Sequence, residues 1–132
     1  MLGHMHGEVS AIMADIQALL RYAWQTNNSY IMAISASGHG GMEASISNLV
    51  EPGDVVLVGV NGIWGERAAD MARRAGGDVR ELKLPAGSVY SLDDLRAGFD
   101  AHPGAKLLFL THGESSTGEE HEKKRFLKKY AC

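Results

Sequence analysis

The chain has 132 residues, of which 45% are apolar and 22% charged, and its net charge is −3. That is one domain's length with enough apolar residues for a core, far from disordered, collagenous or membrane compositions, and the negative balance provides no field for holding nucleic acid or anionic lipid. The single cysteine, Cys132, stands last, which excludes an internal disulfide framework and fits an intracellular, reducing setting. No apolar stretch approaches the roughly 18 residues of a membrane span. The start "MLGHMHGEVSAIM" lacks the basic and apolar regions of a secretion signal, and the final "YAC" does not match the peroxisomal address.

In chain order, Val9, Ile12, Ile16, Leu19, Leu20 and Ala23 recur at the three-and-four spacing of one helix face. The run "SYIMAIS" (29–35) reads as a short buried strand, and Met42, Ile46, Leu49 and Val50 mark a helix that stops at Pro52-Gly53. "DVVLVGV" (54–60) is continuous and β-branched, as in a strand covered on both faces. A helix from Ile63 to Arg74 follows, ended by Gly76-Gly77, and "DVRELKL" (78–84) alternates like a strand near a sheet edge. Ser91 and Asp94 form a capping-box pattern that opens a helix closed by Pro103-Gly104, and "KLLFL" (106–110) is the last strand. Strands alternating with helices of this length predict an α/β fold with right-handed crossovers and a mainly parallel sheet. After Gly118, "EEHEKKRFLKKYAC" has only Phe126 and Leu127 as large apolar residues before its last three positions. With Glu119–Lys123 and Glu120–Lys124 pairs it reads as a charged, frayed surface helix.

Ligands of parallel sheets bind beyond the carboxyl ends of the strands, where this sequence has its polar, glycine-rich loops. In "SASGHGG" (35–41) a strand turning into a helix would present free backbone N–H groups to a phosphate. Ser35 and Ser37 add hydroxyl donors, and Gly38, Gly40 and Gly41 permit close approach. The same glycines also suit a plain tight turn. The pattern matches neither the dinucleotide nor the nucleoside triphosphate fingerprint. In "NGIWG" (61–65) Trp64 either completes a core or stacks on an aromatic ligand. "THGESSTG" (111–118) offers Thr111, His112, Ser115, Ser116 and Thr117 as hydrogen-bonding groups, each of which alone could be turn chemistry. His4 and His6 lack a third nearby metal ligand, and no Ser-His-Asp order or nucleophile elbow is legible.

Taken together, "SASGHGGMEA", "LVEPGDVVLVGVNGIWGERA" and "LLFLTHGESSTG", in this order and spacing, resemble the alanine:glyoxylate (serine:pyruvate) aminotransferase family of the fold-type I pyridoxal phosphate enzymes. The helix "AIMADIQALLRYAWQT" looks like the one preceding the first motif there. The likeness covers about residues 5 to 118. It implies a three-layer αβα large domain, incomplete here, over residues 1–118, with 119–132 a charged tail unlike the family.

The resemblance further implies that Ser37, Gly38 and His39 form the turn holding the phosphate of pyridoxal 5'-phosphate, with the backbone N–H groups of Gly38 and His39 as main donors. Trp64 would stack on the pyridine ring, and Ser115 would be a polar contact to the cofactor. The implied reaction moves an amino group from alanine or serine to glyoxylate or pyruvate, in a peroxisomal or cytoplasmic homodimer. The family's covalently linking lysine and its pyridinium-pairing aspartate lie beyond the "SSTG" loop. This chain has no recognisable substitute for either, so the expectation is a polypeptide that by itself catalyses little. A non-catalytic phosphate-binding module and a dimerising fragment are the rival readings.

Overall fold

The computed structural model describes residues 3–120, which divide into two compact units, 3–36 and 37–120. The first unit carries helix α1 (Gly7–Trp24), ended by Gln25 in the left-handed region. The Arg21 side chain pins the turn that follows, donating to the carbonyls of Asn28 (2.9 Å) and Ser29 (2.7 Å). Helix α1 buries none of its residues, and Ile12, Leu19 and Trp24 are exposed.

The second unit is built on a parallel sheet of three strands: β1 (Val55–Val60) at its centre, β2 (Asp78–Lys83) on one side and β3 (Ala105–Phe109) on the other. Helix α2 (Gly38–Leu49) precedes β1, α3 (Ile63–Arg74) joins β1 to β2, and α4 (Leu92–Ala101) joins β2 to β3. Side chains alternate across the central strand. Val56, Val58 and Val60 pack with Ile46 of α2 and Ala68, Ala69, Met71 and Ala72 of α3. Helix α3 rides close on the sheet, because a Cβ at Gly65 would lie 2.3 Å from the Gly59 carbonyl oxygen.

The opposite face holds Leu57 and Gly59, where the missing Cβ makes room for Leu110 and Tyr90. Leu82, in register with Gly59, fits against Gly98 of α4. Helices therefore cover both faces, and the arrangement is the layered α/β/α expected. Val56, Leu57 and Val58 are at most 1% exposed. Each contributes about 1.5–3 kcal/mol, so β1 is the anchor of the unit.

Helix ends follow local chemistry. Helix α3 stops because Gly76 takes φ +91°, letting its N–H reach the Arg73 carbonyl and that of Gly77 reach Ala72, the bond pattern that closes a helix on glycine. Helix α4 starts with the expected reciprocal cap: Ser91 Oγ accepts from the Asp94 N–H (3.1 Å), and Asp94 accepts from the Ser91 N–H (2.8 Å). At the amino end of the sheet Lys106 Nζ lies 2.5 Å from Asp54. That bond, helped by the Glu51 N–H, holds the Asp54 carboxyl below its usual range.

Two expectations fail. Residues 29–35 form no strand: Tyr30, Met32 and Ile34 are exposed, and no ladder pairs with them among the described residues. Their apolar run, with Tyr30, Ile31 and Ile34, supplies the propensity, but a strand exists only where a neighbour takes its N–H and C=O groups, so propensity alone does not produce one. Among the described residues the parallel strands therefore number three rather than four. Glu119 and Glu120 do not begin a helix. They form β5 (Glu119–Glu120), paired antiparallel with β4 (Gly113–Glu114) around a turn closed by Gly118. The rest of the charged tail lies outside the described residues.

Candidate functional site

Two crossovers leave the carboxyl ends of β1 and β3 side by side. From β1 the chain runs through Asn61 and Gly62 into α3, whose second residue is Trp64. Asn61 is buried and donates to the Ser88 carbonyl (2.8 Å), tying down the loop before α4. From β3 the chain runs through Leu110, Thr111 and His112 into the β4–β5 turn.

A cavity of about 460 Å³ opens between these elements and the start of α2. Its walls are the N-cap Ser37 with Gly38, His39 and Met42 of α2, Trp64 of α3, and residues 109–113. Four of the five predicted contact residues, Ser37, Gly38, His39 and Trp64, thus line one cavity. The fifth, Ser115, sits against Trp64 and accepts a hydrogen bond from the indole Nε1–H at 3.0 Å. The Arg67 guanidinium lies 5.7 Å from the indole ring centroid. Ser35 belongs to the first unit, Thr117 bonds to Glu119 within the turn, and Ser116 reaches the start of α3.

The start of α2 is suited to an anion. Ser37 occupies the N-cap with extended backbone, but its side chain makes no capping hydrogen bond. The first N–H groups of a helix lack intrahelical partners and carry the positive end of the helix dipole. At Gly38 no heavy atom lies within 4 Å of where a Cβ would be, so the backbone is approachable. On the facing wall Thr111 Oγ1 is buried without a hydrogen-bond partner among the described residues. An uncapped helix start and an indole on one cavity fit a phosphate ester that carries an aromatic ring.

The sequence reading overlooked Glu114, which is 0% exposed. Its Oε2 accepts from the Trp64 N–H (3.1 Å), and its Oε1 accepts from the Ser116 N–H (3.1 Å) and from the Ser116 hydroxyl. Ser116 Oγ in turn accepts from the Ile63 N–H at 3.2 Å. The loop after β3 therefore caps α3. The available signal was Gly62: a glycine before a helix brings no capping side chain, so the cap must come from elsewhere.

The sequence pattern of the family described as Aminotransferase class-V matches residues 1–131. The chain belongs to the class-V aminotransferases. It is 49% identical over 118 residues to the alanine–glyoxylate aminotransferase of Callithrix jacchus, covering 89% of this chain and 28% of that protein. Among solved structures it superposes on an alanine–glyoxylate aminotransferase from Nostoc sp. with TM-score 0.87 and 49% identity, over 92% of this chain and 32% of the other. It superposes on a ureidoglycine–glyoxylate aminotransferase from Bacillus subtilis with TM-score 0.88 and 28% identity, over 96% and 33%. The chain thus spans about a third of the length of these relatives. No helix among the described residues is long and apolar enough to cross a membrane, and they hold no cluster of metal-binding side chains.

Proposed function

We propose that this class-V aminotransferase chain holds pyridoxal 5'-phosphate in the cavity between α2 and α3. The Gly38 and His39 N–H groups and the Ser37 hydroxyl bind the phosphate, Trp64 lies over the pyridine ring, and Ser115 offers its hydroxyl to a ring substituent. The observation that carries the reading is the uncapped start of α2 opening on the same cavity as Trp64. When bound, the cofactor supplies the electron-withdrawing ring that amino-group transfer requires. The substrates we assign are alanine or serine as donor and glyoxylate or pyruvate as acceptor, supported by the glyoxylate named in both superposed enzymes.

The described residues put no lysine on the cavity. Lys83 pairs with Glu81 (3.0 Å), and Lys106 pairs with Asp54 at the far end of the sheet. These residues accordingly bind the cofactor reversibly and do not fix it covalently. The proposal extends to a homodimer, favoured by the exposed Ile12 and Leu19 of α1, and by resemblance alone to a peroxisomal or cytoplasmic setting. Light scattering reads the first, and imaging of a fluorescent fusion reads the second.

Calorimetric titration with pyridoxal phosphate, followed by borohydride treatment and peptide mapping, tests the binding claim. Saturable binding with Lys83 and Lys106 unlabelled is expected. Absence of binding defeats the reading, and a label on either lysine defeats the reversible-binding claim. A coupled assay for pyruvate formed from alanine and glyoxylate, run on the protein carrying this segment, tests the substrate assignment.

A further inference from the structure

We infer that Glu114 is a positioning residue for the aromatic half of this site: its buried carboxylate sets the backbone of Trp64 and so the attitude of the indole. The inference rests on the cofactor reading above for its consequence, but the geometry behind it is independent of any ligand. Three successive residues of the loop after β3 grip the start of α3 at three points. Glu114 Oε2 takes the Trp64 N–H, Ser115 Oγ takes the Trp64 indole N–H, and Ser116 Oγ takes the Ile63 N–H. Glu114 also accepts from the Ser116 N–H and hydroxyl, so the same carboxylate shapes the loop that presents Ser115.

Burial makes this arrangement specific. A fully buried carboxylate persists only where hydrogen bonds to the charged form compensate its desolvation, and here the donors are the amides of the helix it caps and of its own loop. The site is fitted around it: a Cβ at Gly62 would lie 2.4 Å from Glu114 Cδ and 2.5 Å from its Cγ. Gly62 has φ −177°, which any residue adopts, so what glycine provides there is space for the carboxylate rather than backbone freedom. Nothing in this set of contacts touches the start of α2, which separates the ring half of the site from the phosphate half.

That separation gives the test. In a Trp24→Phe background, where Trp64 is the remaining tryptophan, Glu114→Gln keeps the side chain's shape but turns one acceptor into a donor facing an N–H. The near-UV circular dichroism and emission maximum of Trp64 should change, and affinity for pyridoxal phosphate should fall by about threefold to tenfold, the worth of a well-placed aromatic contact. Affinity for inorganic phosphate should stay within about twofold, since α2 keeps its donors. Gly62→Ala, which displaces the carboxylate without altering it, should reproduce both signatures and serves if Glu114→Gln does not fold. Unchanged Trp64 signals in either folded variant would overturn the inference, as would a parallel loss of phosphate affinity, which would mark Glu114 as a stabiliser of the whole unit. If the Trp64 signals respond while the parent protein binds no pyridoxal phosphate, the positioning role stands and the cofactor reading falls.

Discussion

Helices α2 and α3 both begin beside the same cavity, yet their first turns are finished in opposite ways. The start of α3 is filled by the protein itself, with Glu114 and Ser116 on the amides of Trp64 and Ile63. The start of α2 has an N-cap serine whose hydroxyl is not used for capping. Each helix carries a dipole of the same sense and free first-turn amides, and the N-cap residues alone, Ser37 for α2 and Gly62 for α3, would favour the reverse outcome. What distinguishes them is where a carboxylate is available. A helix start occupied by the protein's own carboxylate is a structural joint, and one left uncapped beside a cavity is where the proposed function places the anion. Helix α4 adds a third case, capped by its own Ser91 and Asp94 and contributing no residue to the cavity walls.

The comparison is broken most severely by giving α2 what α3 has. Ser37→Asp would place a carboxylate at the N-cap, adding about 0.5–1 kcal/mol to stability and raising the melting temperature. It would also weaken binding of pyridoxal phosphate and inorganic phosphate about a hundredfold, through competition for the amides. Stability and affinity should move in opposite directions, read by calorimetry and thermal melts of one variant. Glu114→Ala does the reverse to α3, leaving the part-buried Trp64 and Ser116 amides without that acceptor at a cost of about 2–4 kcal/mol. Its melting temperature should drop by about 8 °C or more, at roughly 4–8 °C per kcal/mol.

Ser91→Ala sharpens the comparison from outside the site, removing a cap that serves only folding. It should cost about 1 kcal/mol in denaturant unfolding and leave cofactor affinity unchanged. The smallest effect is acid lability. The Asp94 carboxyl is held below its ordinary range by the Ser91 hydroxyl and N–H, and Asp54 by Lys106 and the Glu51 N–H. A carboxylate whose folded pKa is depressed contributes stability that is fully present above the unfolded value, near 3.9, and is lost as pH falls through the folded value. Unfolding midpoints should therefore be flat from neutrality to about pH 5 and decline below it. The decline should be shallower in Ser91→Ala than in the parent.

The parts legible in the sequence were those decided by neighbours along the chain. Periodicity placed α3 at Ile63–Arg74, and the Ser91–Asp94 spacing announced α4's cap. The continuous apolar run of β1 and the alternation of β2 gave the central and edge positions they occupy. Where the outcome depended on distant partners, local reading failed. Residues 29–35 have strand composition, but among the described residues no strand pairs with them. Glu119 and Glu120 have helical pairing partners in sequence but join β4 instead. In the site, glycines and hydroxyls signalled the loops, and Ser37, Gly38, His39 and Trp64 do line one cavity. Glu114 stayed hidden because its role is visible only when residue 64 is brought to residue 114, a contact 50 positions apart in the chain.

The most direct test is to compare pyridoxal phosphate with pyridoxal in the Trp24→Phe protein, following Trp64 emission. Quenching should saturate with pyridoxal phosphate, be relieved by inorganic phosphate, and require at least about a hundredfold more pyridoxal, because two charge-assisted bonds at α2 are lost. Equal affinity for the two compounds, or binding of the phosphate ester with no change at Trp64, would contradict the assignment of one cavity with a phosphate end and an indole wall.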